Sequence, residues 1–188
     1  MTENPVPRPR RADARRNLDA LLEAAKHVLA TSGVDAPAKE ITDRAGVGVG
    51  TLYRHFPQRS DLVIAVLEHE IDACAEAGAA LAAANPPGVA LAEWVRHYTD
   101  FVATKIGLAS ALHAADSAHQ ELREHFYRRM GPVLEGLIRA AAAAGDVRAD
   151  VGAEDVLHAV ALLCQPVPGR DAGYGRRLVG VFLDGLRP

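Results

Sequence analysis

The sequence predicts an all-α fold of about nine helices, and three observations carry the prediction. Apolar residues recur at the i, i+3, i+4, i+7 spacing of a helical face along most of the chain. No stretch shows the period-two alternation of a half-buried strand. Glycines and prolines stand between the periodic segments, where helices have to stop.

The first helix is expected over about Asp13 to Thr31, because Leu18, Leu21, Leu22, Ala25, Val28 and Leu29 share one face. Gly33 stops it, since glycine takes the left-handed conformation that closes helices without steric cost. A short second helix follows, with Asp35 or Ala36 at its cap and Pro37 in its first turn, where a missing N–H has no intrahelical partner to lose. Gly46 ends it. A third covers about Val49 to Phe56 and is closed by Pro57, whose ring forbids continuation. The long fourth helix starts near Gln58, places Asp61 beside the positive end of its dipole, and presents Val63, Val66, Leu67, Ile71, Cys74, Gly78 and Leu81 before Pro86. A fifth, about Val89 to Lys105, carries Leu91, Trp94, Val95, Tyr98, Phe101 and Val102. A short sixth is expected from Leu108 to Ala115. The seventh, about Ala118 to Ala144, aligns Leu122, Phe126, Met130, Val133, Leu134, Leu137 and Ile138, with a bend expected at Pro132. The eighth spans about Ala153 to Gln165 and the ninth Tyr174 to Leu186.

Composition narrows the function classes. A chain of 188 residues, 49% hydrophobic and 24% charged, is long enough to bury a core but too short for a large multidomain machine. No apolar run reaches the ~18 residues a membrane span needs, and the N-terminus lacks the apolar core of a signal peptide, so a cytoplasmic protein without membrane association is expected. Cys74 and Cys164 lie far apart within apolar helical patterns, which suits reduced thiols rather than a disulfide framework. The net charge of -3 is unevenly spread: residues 1–59 carry +3 and residues 60–188 carry -6. Arg8, Arg10, Arg11, Arg15 and Arg16 face only Glu3 and Asp13, so residues 1–12 form a basic arm, expected to be disordered, leading into the first helix. Such an arm gains free energy beside a polyanion by releasing condensed counterions, while the acidic remainder is repelled from the same surface.

The informative stretch runs from Lys39 to Phe56 and has the parts of a helix-turn-helix. Two short helices crossing steeply need a small residue at the contact, Ala45, and a glycine at the turn, Gly46. Ile41, Val47, Leu52 and Phe56 supply a shared core against the first helix. The opposite side of the third helix then displays Val49, Gly50, Thr51, Tyr53, Arg54 and His55, a face that fits the major groove with its N-terminal residues toward base edges.

On these residues, and specifically on AGVGVGTLYRHFPQRSDL over positions 45–62, the chain resembles the TetR family of transcriptional regulators. The resemblance is strong over about residues 14–62 and elsewhere extends only to a helical domain of suitable length. It implies a helix-turn-helix DNA-binding domain at residues 13–57 and a helical ligand-binding and dimerisation domain at 58–188. It implies that Lys39, Val49, Gly50 and Thr51 approach bases, that Tyr53 and His55 contact phosphate or bases, and that Arg59 grips the DNA backbone. Two positions depart from the pattern. Pro37 replaces a threonine that would cap the second helix, and Gly48 stands where a serine would cap the third, at a cost of only a few tenths of a kcal/mol.

One short recognition helix covers too few base pairs for useful specificity, so a two-fold homodimer on a palindromic double-stranded DNA operator is expected. The resemblance places the dimer surface on the last two helices, where Val156, Val160, Leu163, Val179, Phe182, Leu183 and Leu186 are apolar. The large side chains gather in the preceding helices, and Trp94, His97, Tyr98, Phe101, His113 and Phe126 are the candidate lining for a small, mostly apolar effector. In the family such a ligand shifts the two DNA-reading heads and releases the operator, which favours a repressor. Two other classes compete with this reading. A catalytic or metal site lacks its motifs: no histidine pair has the His-Glu-x-x-His spacing, and the glycines of positions 46–50 follow no strand and precede no Gly-Lys-Ser. No catalytic residue, metal or cofactor is therefore expected. A helical protein-interaction module differs by one property, the absence of salt-dependent duplex binding.

Overall fold

The structure, a computed structural model, describes residues 9–108 and 116–188. Among them there are eight helices and no strand: α1 (Pro9–Ser32), α2 (Ala38–Ala45), α3 (Val49–His55), α4 (Arg59–Ala84), α5 (Pro87–Leu108), α6 (Asp116–Ala143), α7 (Ala153–Leu163) and α8 (Tyr174–Asp184). The all-α expectation holds. Helix α1 starts at Pro9 rather than Asp13, so residues 9–12 of the expected arm belong to it, and residues 1–8 lie outside the described residues. Proline is tolerated at a helix start because the first-turn N–H groups have no partner to lose. The expected short sixth helix falls mostly outside the described residues, its first residue Leu108 closing α5.

The helices end for identifiable reasons. Gly46 follows α2 with φ of 69°, a left-handed conformation that a Cβ would strain, and Val47 N–H donates to the Thr42 carbonyl at 3.0 Å. Pro37 is the cap of α2 rather than part of its first turn, with an extended ψ of 138°. At the start of α4 the Asp61 carboxylate accepts the Gln58 N–H at 2.9 Å, satisfying a donor that the helix leaves unpaired. Helix α6 runs unbroken from Asp116 to Ala143 with Pro132 inside it.

Helix α4 is the central member. It packs on α1 at its N-terminal end and on α5 and α6 along the rest, while α7 is held by α5, α6 and α8. The core beside it is built from Leu67, Ile71, Leu91, Trp94, Met130 and Leu134, all buried. Close approach is achieved at Gly78, where an added Cβ would collide with Val133 Cγ1 and press on the Trp94 ring at 3.4 Å. Trp94 itself is 0% exposed and donates its Nε1–H to the Cys74 carbonyl at 2.9 Å, so the largest side chain of the core also satisfies its one polar atom.

Candidate nucleic-acid interface and cavity

The recognition surface follows from what the helical hairpin buries. Ile41, Leu52 and Phe56 turn inward with Leu21, Ala25 and Val28 of α1, and Val47 is packed against the same cluster. With those four apolar groups committed to the core, the remaining side of α3 faces solvent: Val49, Gly50, Tyr53, Arg54 and His55 are exposed and Thr51 is half-buried. Tyr53 is 55% exposed, unusual for an aromatic side chain whose burial would be worth about 2 kcal/mol. A Cβ added at Gly50 would meet no neighbouring atom of the described residues within 4 Å, so the space before it is open among them. Arg54 folds back along the helix, its Nε–H donating to the Gly50 carbonyl at 3.0 Å, and His55 sits beside Phe56 with ring centroids 6.1 Å apart.

Two of the expected contacts are already engaged within the chain. Lys39 lies on the exposed side of α2 and pairs with Asp43 at 2.6 Å, a surface ion pair that costs little to exchange for a phosphate. Arg59 is turned toward the α1–α2 turn: its Nε–H donates to the Val34 carbonyl at 2.8 Å, and its Nη2 is buried without a partner among the described residues. In this arrangement it holds the head to the start of α4.

The head is tied to α4 by two further pairs. Lys26 of α1 meets Glu70 at 2.6 Å, with Glu70 almost fully buried, and Glu23 meets His69 at 3.2 Å. On its opposite side α4 is held by α6. Asp72 accepts from Arg129 Nε at 2.6 Å and lies 3.0 Å from His125 Nε2. Arg128 can only donate to His125 Nδ1, at 3.1 Å, so the neutral ring carries its proton on Nε2 and gives it to Asp72.

Between α4, α5, α6 and α7 lies a cavity of about 530 Å³. Leu67 and Ile71 form its α4 wall. Tyr98, Phe101 and Val102 line it from α5, Leu122 and Phe126 from α6, and Leu157 from α7. The rings form a continuous stack, with Phe101 and Phe126 6.0 Å apart and Tyr98 6.1 Å from Phe101. The polar atoms on the wall are mostly satisfied. Tyr98 donates its hydroxyl to the Leu157 carbonyl at 3.0 Å; burial is the largest cause raising its ionisation well above the ordinary range, so it stays a donor. His158 Nδ1 lies 2.9 Å from the Glu154 carbonyl, which only accepts, so in the neutral ring Nε2 receives the Tyr127 hydroxyl at 3.1 Å.

Of the residues expected to line a pocket, Tyr98, Phe101 and Phe126 do so. Trp94 does not: it is buried behind the wall, stacked on Tyr98 with centroids 6.0 Å apart. His97 is exposed and off the lining, and His113 lies outside the described residues. The expected lining, drawn from aromatic and histidine side chains, left out the aliphatic wall of Leu67 and Ile71 and the cations Lys105 and Arg123, and it did not reach Tyr127 or His158. Their positions on helical faces that converge in space are not visible as a spacing along the chain.

Four of the seven residues expected at the dimer face are turned inward. Val156, Val160, Val179 and Leu186 are buried in the chain's own core, and Leu163, Phe182 and Leu183 are half-buried against it. The apolar groups that α7 and α8 leave outside are Leu162, 72% exposed, and Val181, 70% exposed. Burying such groups against their own core removes apolar area from water without waiting for a partner, so the longer apolar stripes turn inward.

Comparison with known proteins agrees with this architecture. Residues 21–66 match the family model described as bacterial regulatory proteins, tetR family. Residues 86–188 match the C-terminal domain of SbtR-like transcriptional regulators. A TetR transcriptional regulator of Streptomyces coelicolor is 36% identical, with a TM-score of 0.75 over 90% of this chain and 98% of that one. A TetR regulatory protein of Mycobacterium vanbaalenii is 37% identical, with a TM-score of 0.74 over 96% and 100%. HTH-type transcriptional regulators of Staphylococcus aureus are 36% identical over 63 residues, which is 33% of this chain and only 34% of theirs. Among the described residues no helix is long and apolar enough to cross a membrane.

Proposed function

The chain belongs to the TetR family of DNA-binding transcriptional regulators, and from that premise we propose that it is a homodimeric repressor released from a palindromic operator by a small, mostly apolar ligand. The observation that carries the reading is the position of α4: one helix lines the cavity and anchors the DNA-reading head. Leu67 and Ile71 stand in the cavity wall, and Glu70 between them holds Lys26 of α1. A ligand that pushes on Leu67 and Ile71 moves the residue to which the head is fastened. For the operator to be released, the ligand has to bind more tightly to the arrangement that DNA disfavours, and a hundredfold loss of operator affinity requires a preference of about 2.7 kcal/mol.

DNA recognition is assigned to the exposed side of α3. Val49 offers an apolar approach to a thymine methyl, Gly50 lets the backbone come close, and Thr51 supplies a hydroxyl at the N-terminal end of the helix. Tyr53 and His55 flank that end for phosphate contact, and Lys39 reaches the duplex by exchanging Asp43 for DNA. Arg59 holds the α1–α2 turn through Nε, and its buried, unpartnered Nη2 donates to the DNA backbone once the head shifts. The dimer forms through α7 and α8, with Leu162 and Val181 at its centre and small Ala159 and Gly180 beside them allowing close helix approach.

Transcription in vitro from a promoter carrying the selected operator tests the sign of regulation. Added protein lowers the transcript in this account; a rise in transcript would make the protein an activator and contradict it.

A further inference from the structure

The cavity carries information about the chemistry of its ligand. Apart from the apolar wall, its polar groups fall into two sets. Tyr98, Tyr127, His158 and Gln165 all have partners within the chain: the Leu157 carbonyl, each other in the case of Tyr127 and His158, and the Ala161 carbonyl. Lys105 and Arg123 also line the cavity and have no hydrogen-bond or ion-pair partner among the described residues. Among the described residues no aspartate or glutamate lines it. Lys105 stands in the last turn of α5 and Arg123 in the second turn of α6, so the two exposed cations lie toward the C-terminal end of the one helix and the N-terminal end of the other.

We propose that the cavity takes an amphipathic anion, an apolar or aromatic body carrying one carboxylate, with the body against Leu67, Ile71, Phe101 and Phe126 and the carboxylate between Lys105 and Arg123. This rests on the reading of the cavity as the effector site. An apolar wall gains by covering a hydrocarbon body but cannot compensate a charge, so the head has to lie where cations are free. Arginine suits a carboxylate in particular, because its planar fork donates two parallel hydrogen bonds. A neutral head leaves both cations hydrated and gains nothing from them, and a cationic head is repelled. The volume, about 530 Å³, admits a ligand of ordinary drug-like size.

The test is calorimetric titration of the full chain with matched probes below their micellar concentrations: decanoate, 1-decanol and decyltrimethylammonium, and 4-phenylbutyrate with 4-phenylbutan-1-ol. A carboxylate of either series is expected to bind about tenfold more tightly than its alcohol at low salt, and the ammonium probe not to bind. In the double variant Lys105→Gln/Arg123→Gln the carboxylate should fall to within twofold of the alcohol, whose own affinity stays unchanged. Equal affinities in the unmodified chain, a preference for the alcohol or the ammonium, or no binding by any probe would overturn the proposal. Operator release is followed separately. Selective carboxylate binding that leaves the operator bound would sink ligand-controlled release and keep the chemistry of the cavity. Release by an uncharged compound with no carboxylate preference would do the reverse.

Discussion

The pair Lys26–Glu70 offers the sharpest quantitative test of how the head is joined to the rest of the molecule. The two side chains meet at 2.6 Å, with Glu70 only 10% exposed and Lys26 36%. At an effective dielectric constant of 20, Coulomb attraction at that distance is about 6 kcal/mol. Desolvating the carboxylate and ordering the lysine stem offset most of it. Exposed pairs retain 0–1 kcal/mol and breaking a buried one costs about 3–5 kcal/mol, so this half-sheltered pair is expected to carry a coupling energy of about 2 kcal/mol. The variants are Lys26→Met, Glu70→Gln and their combination, unfolded by heat and by denaturant at one fixed protein concentration. Glu70→Gln alone should lower the melting temperature by about 4–8 °C for a chain of this size. It should also weaken operator binding by loosening the head while leaving ligand affinity in the cavity intact. A coupling energy below about 0.5 kcal/mol would show that α1 is held by apolar packing alone and would remove Glu70 from the path between cavity and head.

Three further outcomes are expected. Tyr53→Ala should weaken operator binding at least tenfold with the helical circular dichroism spectrum unchanged, because the side chain is exposed and its loss opens no cavity; unchanged affinity in a binding titration would take Tyr53 out of the interface. Leu162→Asp should convert the dimer to a folded monomer in sedimentation analysis and reduce operator binding with it, whereas Val160→Asp should prevent folding, since Val160 is fully buried. Burial first, then the nearby Glu70 and Asp100 charges, pushes the Cys74 thiol from an ordinary 9.0 to about 12, so it should resist alkylation at pH 8 until the chain is unfolded. The folded state holds that proton more tightly than the unfolded state. The contribution is therefore complete below pH 9 and is lost as pH rises toward about 12, which a series of denaturation curves would detect.

The reading head was legible because its constraints are local. A glycine with positive φ at Gly46, a small residue at Ala45 and a single buried residue, Leu52, on an otherwise largely exposed seven-residue helix all act within a few residues of one another. Pro37 moved by one place because a proline serves equally well as a cap or in the first turn. The rest of the molecule is set by which helical faces meet. On α7, Val156, Leu157 and Val160 point into the core and Leu162 points out, yet all four belong to one stretch broken only by His158, and only the positions of α5, α6 and α8 decide between the faces. The same holds for Trp94 and His97. Three residues apart on one helix, one is the centre of the core and the other is in solvent. The backbone contact expected of Arg59 came from the family resemblance alone; that its Nε–H also donates to a carbonyl 25 residues earlier depends on the fold. Lys105 and Arg123 read as ordinary surface charges until α5 and α6 are brought together around the cavity.

Selection of bound duplexes from a random DNA library by the purified protein, with affinity then followed against salt, tests the central claim most directly. The account predicts a palindromic consensus with half-sites about one helical turn or a small multiple apart, bound with a steep loss of affinity as salt rises. Failure of the folded, ligand-free protein to enrich any sequence at low salt would contradict it and leave a helical module whose partner is another protein.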